Sequence, residues 1–367
     1  MVISNQLDIS TQANFYKDVS DQTISLYVLF EMMRRNGTLI SNATSYTHKW
    51  PVYMKENPVG PLIVGAPLRF AEHDGYRQYY SEPVNQIATE SIHDTVVKQN
   101  SGTAQIFDLV KEKSVRIAQA MQNRMASAPY ENASSAAQNF DGLDTFGTYT
   151  ACTTTDKIAR PNDTYGGWST VLGTEPGTWS ASLPTAKRPN AALANDYPFG
   201  RGSAQYHFNS PKFVNTECTV WPSGKAGFGV NSDSILSTTL NWIRHTTGQM
   251  APSVMFAMSS DHFAEFRDDQ SPKMRIMQPH VEASRLGFGS VFNFEGSMLY
   301  SDSACPAGKT YALDFSKVSF YHYGPNLFQH EDQVWVTTEH SYIWKCFIYG
   351  NFRWLPKHTA FIGNFTA

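Results

Sequence analysis

A chain of 367 residues is longer than one hydrophobic core usually serves, which predicts two domains or one domain with long excursions. Its 29 Lys and Arg against 32 Asp and Glu leave a net charge of −3, which argues against a nucleic-acid binder that works by blanket phosphate neutralisation and leaves only a local basic patch open. No apolar run reaches the length of a membrane helix, the opening MVISNQLDIS lacks a signal-peptide pattern, and Cys152, Cys218, Cys305 and Cys346 stand too far apart for a zinc pair or a disulfide scaffold, so a soluble, unexported chain with free thiols is expected.

Residues 1–36 start polar and end in an amphipathic helix, DQTISLYVLFEMMRRN, with Ser20 as its cap, Ile24, Tyr27, Val28 and Met32 along one side, and Gly37 as its stop. From Thr38 to Gln99 the stretches SYTHKWPVYM and YRQYYSEPVNQIATESIHDTVVKQ alternate polar with aromatic or β-branched residues, as half-buried strands do. Between them, ENPVGPLIVGAPLRFAEHDG is broken by prolines and glycines, yet Val59, Leu62, Ile63, Val64, Leu68 and Phe70 make it too apolar for a tip bathed in water. An isolated hairpin is marginal by itself, so these six residues are expected to contact another subunit.

The stretch NSGTAQIFDLVKEKSVRIAQAMQNRM predicts one long helix from Asn100, capped by Ser101 or Thr103 and stopped by Pro129. Ile106, Leu109, Val110, Ile117, Ala120, Met121 and Met125 form its apolar stripe. Lys113 falls within the stripe, where its stem can lie on apolar surface while its ammonium reaches water or a carboxylate. At 1.5 Å per residue the helix would run roughly 35–40 Å, long enough for a sheet to be laid against it.

Residues 130–210, with NFDGLDTF, the turn signal TYGGWS and PGTWSASLP, hold no amphipathic period and read as loops with short strands. Order returns at NSDSILSTTLNWIRHTTG, a helix capped by Ser232 or Asp233 and ended by Gly248. APSVMFAMS then reads as a buried strand and SDHFAEFRDD as a short helix capped by Ser260 or Asp261, after which a series of strands runs to the end of the chain.

Sites of chemistry are sparse. Gly224-Lys225-Ala226-Gly227 fails as a phosphate loop, because Thr219 stands where the first glycine belongs and Ala226 where Ser or Thr must follow the lysine; a glycine-rich turn is the better reading. Gly287-Phe288-Gly289 reads as close backbone approach at a strand entry. His322, His330 and His340, with Glu331, Asp332 and Glu339 beside them, lack metal-ligand spacing. Trp168, Trp179, Trp221 and Trp242 suggest a sugar platform but pair with no two carboxylates at a common cleft, so a carbohydrate-active hydrolase stays an alternative without a site.

In order along the chain, the helix ending RRNG, the Pro/Gly-broken hairpin running into EHDGYRQYY, VVKQNSGTAQIFDLVKEK with its MQNRM end, NFDGLDTF, TYGGWS, APSVMFAMSSDHFAEFRD and FNFEGSMLYSDSACPAG resemble the major capsid proteins of tailed bacteriophages. That resemblance implies an α+β chain of the Hong Kong 97-like capsid fold, shared with herpesvirus shells: a long spine helix packed on a β-sheet, an extended hairpin called the E-loop, and an axial domain. It implies an N-terminal arm at 1–36, the E-loop at 37–99, the spine helix of a peripheral domain at 100–139, a mainly axial domain at 140–312, and strands at 313–367 that return to the peripheral domain.

Such a protein assembles with itself into hexamers and pentamers of an icosahedral shell around double-stranded DNA that it does not bind specifically. Its implied partners are a portal, a separate scaffolding protein, since the arm is short, and a decoration or cement protein. No membrane, cofactor, metal or catalytic residue is implied, and the implied location is the virion, with the host cytoplasm during assembly. Some members weld neighbours through a Lys–Asn bond; Lys49, Lys55, Asn351 and Asn364 have the right residue types, but with no catalytic carboxylate placed beside them none is assigned that role. A tail-tube or fibre subunit is the other structural alternative.

Overall fold

The computed structural model describes residues 28–53 apart from 42 and 44–46, then 76–99, 109–170 apart from 137, 209–248, 254–270 and 291–367. The long helix is described over Leu109–Ser127, and residues 100–108 of its expected start lie outside the described residues. The buried side chains Lys113, Ile117, Met121 and Met125 advance by fours, which keeps them on one face of a 3.6-residue spiral, with buried Ala126 next to the last of them. That face lies on the strands Val84–His93 and Ser341–Arg353. Ala120, expected in the stripe, is exposed, because a strict spacing of four leaves it on the flank. Lys113 behaves as its sequence position suggests: its stem is buried and its ammonium pairs with Glu90 of the facing strand.

The sheet under this helix has five strands. Ser341–Arg353 is its spine and pairs antiparallel with Val84–His93, Gln329–Val336 and Ser319–His322; Leu39–Ile40 adds to the last in parallel. The N-terminal helix Val28–Arg35 closes the same core, with Phe30 edge-on to Phe320 at 5.5 Å and Phe352 at 6.4 Å. Gly37 ends it at φ 68°, as a left-handed C-terminal glycine does, while Thr38 N–H bonds back to the Met33 carbonyl. Residues 94–99 correct the strand expectation: Asp94–Gln99 is a short helix, held by a Lys98–Asp94 pair at 2.6 Å and by buried Val96.

A second sheet has eight strands, in the order Val291–Phe294, Ser297–Ser301, Val254–Met258, Lys309–Asp314, Thr359–Gly363, Lys212–Asn215, Ile158–Pro161 and Tyr149–Thr150. It is buried on both faces. Phe213, Met255, Ala257, Tyr311, Leu313 and Phe361 join the core shared with the long helix, whereas Val214, Val254, Phe256, Met258, Ala312 and Ile362 pack with the helices Phe228–Thr247 and Ser260–Gln270. This two-sided burial is why VMFAM is a continuous apolar run and not an alternating one. Residues 313–367 do not all go to the five-stranded sheet: Thr359–Gly363 inserts between Lys309–Asp314 and Lys212–Asn215, where it satisfies the ladders of both.

Both helix caps differ from expectation. The longer helix starts four residues earlier than Ser232, after Gly227, while Ser232 is buried against Asp269 at 2.7 Å and Asp233 meets Gln270. The shorter helix takes Ser259, whose hydroxyl accepts from His262 N–H at 3.3 Å, in place of Ser260. Gly248 ends the longer helix in the left-handed conformation, as the sequence predicts.

Candidate assembly surface

The strands His48–Tyr53 and Tyr76–Ser81 form a two-stranded ribbon, with residues 54–75 between them in the sequence. The six apolar residues Val59, Leu62, Ile63, Val64, Leu68 and Phe70 all lie outside the described residues; what the structure shows is how their support is built. Burial along both strands alternates strictly, which is the period-two signature of a ribbon with one face docked. On the docked face Trp50 and Tyr79 are almost wholly buried, and His48, Val52 and Arg77 flank them half-buried. On the other face the Tyr53 and Tyr76 rings meet at a tilt, centres 5.1 Å apart, beside exposed Pro51 and Tyr80, with Tyr76 65% exposed.

Three elements grip the docked face. The hairpin Thr164–Tyr165 and Trp168–Ser169, the TYGGWS of the sequence, turns on Gly166 at φ 60° and Gly167 at φ 87°, a conformation open to glycine. Close approach also demands glycine, since a Cβ on Gly166 would come within 2.8 Å of the Tyr79 ring. Trp168 Nε1 donates to the Gln78 carbonyl at 2.9 Å and its ring lies under Arg77 at 5.5 Å. Tyr79 OH bonds Asn209 and its ring meets Tyr165 edge-on at 6.0 Å. From the five-stranded sheet, Arg353 sits over Trp50 at 5.4 Å and Tyr321 lies against His48 at 3.7 Å between ring centres.

Beneath the ribbon is a polar cleft of about 370 Å³ lined by Ser81, Glu82, Asp141, Thr145, Tyr165 and Asn351 among others. Burial pushes the Asp141 carboxyl up, and hydrogen bonds from Ser81 at 2.5 Å and Asn351 at 2.9 Å pull the other way. Asn351 also donates to the Glu82 carbonyl at 2.7 Å and accepts from Asp141 N–H at 2.8 Å, while Trp354 Nε1 donates to the Asp141 carbonyl at 2.6 Å. The node ties the ribbon base, NFDGLDTF and the C-terminal strands into one body. Asn364 lies elsewhere and accepts from Thr366.

A second exposed surface is the side of the five-stranded sheet away from the long helix. Ile87, 54% exposed, faces out there beside half-buried Phe347 and Ile343 and exposed Val334.

The other sequence candidates are parts of the scaffold. His322 is buried, His330 Nε2 lies 4.0 Å from the Cys346 sulfur, and His340 turns a hairpin at φ 46°. Among the described residues no three His, Cys, Asp or Glu side chains gather as metal ligands. Trp221 is buried with its Nε1 on the Asn215 carbonyl at 3.0 Å, Trp242 is buried in the helix Phe228–Thr247, and Trp179 lies outside the described residues. Gly224, at φ 66°, closes a turn over 221–224 with its N–H on the Trp221 carbonyl, and 225–227 lead on to the helix Phe228–Thr247; Gly287 to Gly289 lie outside the described residues. The reading of the sequence missed Trp50, Tyr79 and Arg353 as anchors. The two aromatics were visible only as members of an alternating pattern, and nothing in the chain marks Arg353 as their partner.

No protein-family profile and no curated protein matches the chain. Solved structures do. The capsid protein of cyanophage A-1(L) matches over 97% of this chain and 98% of its own at 14% identity, with a TM-score of 0.60. The capsid of the native GTA particle matches over 97% and 94% at 12% identity, TM-score 0.56. The SrpI encapsulin of Synechococcus elongatus PCC 7942 matches over 100% and 95% at 13% identity, TM-score 0.52. The chain therefore has the α+β fold of these shell proteins, the Hong Kong 97-like capsid fold.

Proposed function

We propose that this chain, which has the Hong Kong 97-like capsid fold, is the repeating subunit of a closed icosahedral shell of the tailed-phage type, assembled from its hexamers and pentamers around double-stranded DNA. The observation that carries the reading is the ribbon: a stalk docked through Trp50 and Tyr79, exposed and aromatic on its other side, whose two strands are joined in sequence by an apolar segment. A shell subunit needs such an excursion, because heterologous contacts that close into rings must reach a neighbour.

In this reading residues 1–36 are the arm, 37–99 the E-loop, 100–139 the spine helix of the peripheral domain and 140–312 mainly the axial domain. Strands from 313 onward return to the peripheral sheet, with Thr359–Gly363 left in the axial one. Val59, Leu62, Ile63, Val64, Leu68 and Phe70 contact a neighbouring copy. A net charge of −3 suits a wall that ignores its DNA, and no catalytic role is assigned to any residue. A portal, a separate scaffolding protein and a decoration protein are the further partners, and the virion is the place of work.

The encapsulin match supports a second reading, a shell around another cargo. Both are tested by purifying the expressed chain with candidate scaffolding protein, sedimenting it, imaging it and treating the particles with nuclease. Closed shells support the proposal; nuclease-protected DNA separates phage capsid from protein compartment; tubes, fibres or a lasting monomer overturn both.

A further inference from the structure

We infer that His48 is a pH-sensitive latch, which holds the base of the ribbon against the body while its ring is neutral and releases it when the ring is protonated. The latch itself is independent of the shell reading; only its consequence for assembly rests on that reading.

The ring occupies the joint between the ribbon and the five-stranded sheet. It lies against Tyr321 with 3.7 Å between ring centres and stacks on Trp50 at 5.5 Å. Its other neighbours are Ser81, its partner across the ribbon, and Pro83, Tyr323, Asn351 and Phe352, which line a void of about 10 Å³ beside it, room for one water at most. From the strand Ser341–Arg353 comes Arg353, whose guanidinium lies over Trp50 and donates to the Tyr321 hydroxyl at 2.7 Å. Among the described residues Arg353 is the cationic side chain beside the ring. The carboxyl of this neighbourhood, Asp141, is engaged by Ser81 and Asn351.

Among the described residues no acceptor is bonded to the buried ring nitrogen Nε2 of His48. His48 Nε2, Trp50 Nε1 and Arg353 Nε are all buried without a hydrogen-bond partner among the described residues. Protonation would set a buried N–H with no acceptor and a second cation beside the guanidinium, and both terms penalise the charged ring. Burial first, and the Arg353 charge second, accordingly hold His48 below the ordinary histidine range. The sign follows: docking is favoured above about pH 6.5, the ordinary value, and weakens as pH falls below it, because the undocked ring takes the proton more readily. Separating the ribbon from Tyr321 removes both penalties at once, so the yielding contact is the joint.

The test is amide hydrogen exchange on the full-length, unassembled subunit at pH 7.5 and pH 5.0, corrected for the intrinsic effect of pH, in wild type and His48→Phe. Phenylalanine keeps a ring against Tyr321 and Trp50 but cannot titrate. In the wild type, protection of 48–53 and 76–81 should fall several-fold at the lower pH while that of 109–127 holds; in His48→Phe the ribbon should be equally protected at both. Unchanged ribbon protection in the wild type, or an equal fall in the variant, overturns the latch. Should the variant leave the ribbon unprotected at both pH values, the titration of the His48 ring itself, followed by NMR of the wild type labelled in its histidines, decides: a midpoint below the ordinary range that coincides with loss of ribbon protection supports the latch, and an ordinary midpoint overturns it. Failure here would leave assembly into shells untouched, whereas failure to form shells would leave the exchange result standing.

Discussion

Trp50 and Tyr79 stand directly opposite each other across the ribbon, ring centres 5.7 Å apart and both almost fully buried, so this aromatic pair is a principal anchor of the two strands on the body. Removing a buried Trp side chain typically costs about 3–5 kcal/mol. Because the ribbon forms its own two-stranded sheet, most of that loss should appear as local undocking. Trp50→Ala is therefore expected to keep the circular dichroism and the main melting transition of the body while amides at 76–81 lose protection and assembly declines. A collapsed melting temperature would place the pair in the body's own core.

Lys113 and Glu90 give an asymmetric prediction. Glu90→Gln leaves a mostly buried ammonium with a weaker partner, whereas Lys113→Met replaces the stem with an apolar one of similar length. Glu90 is about a third exposed, so screening limits the effect: Glu90→Gln should cost roughly 1–2 kcal/mol and Lys113→Met less. The Glu90→Gln, Lys113→Met double variant should recover part of the loss. Denaturant unfolding of the three variants checks the order, and a larger loss in Lys113→Met than in Glu90→Gln would reverse the argument.

How legible the chain was depended on how local each cause is. Lys113 in an apolar stripe, the glycines of TYGGWS and the stops at Gly37 and Gly248 follow from a few neighbouring residues, and the structure has each of them as the sequence suggests. Ser232 was misread because a serine before an apolar run looks like a cap whether or not it is buried against Asp269 of another helix. Thr359–Gly363 was legible as a strand, but its place between Lys212–Asn215 and Lys309–Asp314 was not, because both partners lie far away in the chain. The ribbon was legible as strands, but its docking was not, since Arg353, Tyr321 and Asn209 come from three distant segments.

His262 predicts acid sensitivity of the body. Stacked on Phe228 at 4.3 Å and bonded through Nδ1 to Thr310, it is driven by burial from 6.5 down to about 4. A depressed histidine stabilises the fold above its unfolded value and loses that contribution as pH falls from 6.5 towards 4. At pH 5 the loss should be about 2 kcal/mol relative to neutral pH. His262→Phe should flatten this part of the profile of stability against pH, measured by chemical unfolding from pH 7 to pH 5. An unchanged slope in the variant would assign the acid lability to other groups.

The apolar segment itself is tested by replacing Leu62, Ile63 and Val64 together with serine. If these side chains are buried only on a neighbour, the lone subunit should keep its melting temperature. Each forfeits roughly 1.5–3 kcal/mol per contact, repeated around the shell, so assembly should fail or weaken greatly. Normal shells from the variant would remove the segment from the interface, and a lost fold would put it in the subunit's own core.

The central claim, that this chain builds a closed shell through its ribbon, is met most directly by electron cryomicroscopy of the assembled wild-type protein. The account predicts an icosahedral particle made of hexamers and pentamers, in whose map residues 54–75 of each copy lie on an adjacent copy with Leu62, Ile63 and Val64 buried between them. A tube, a fibre, a monomer that never assembles, or a shell in which those residues fold back onto their own subunit would contradict it.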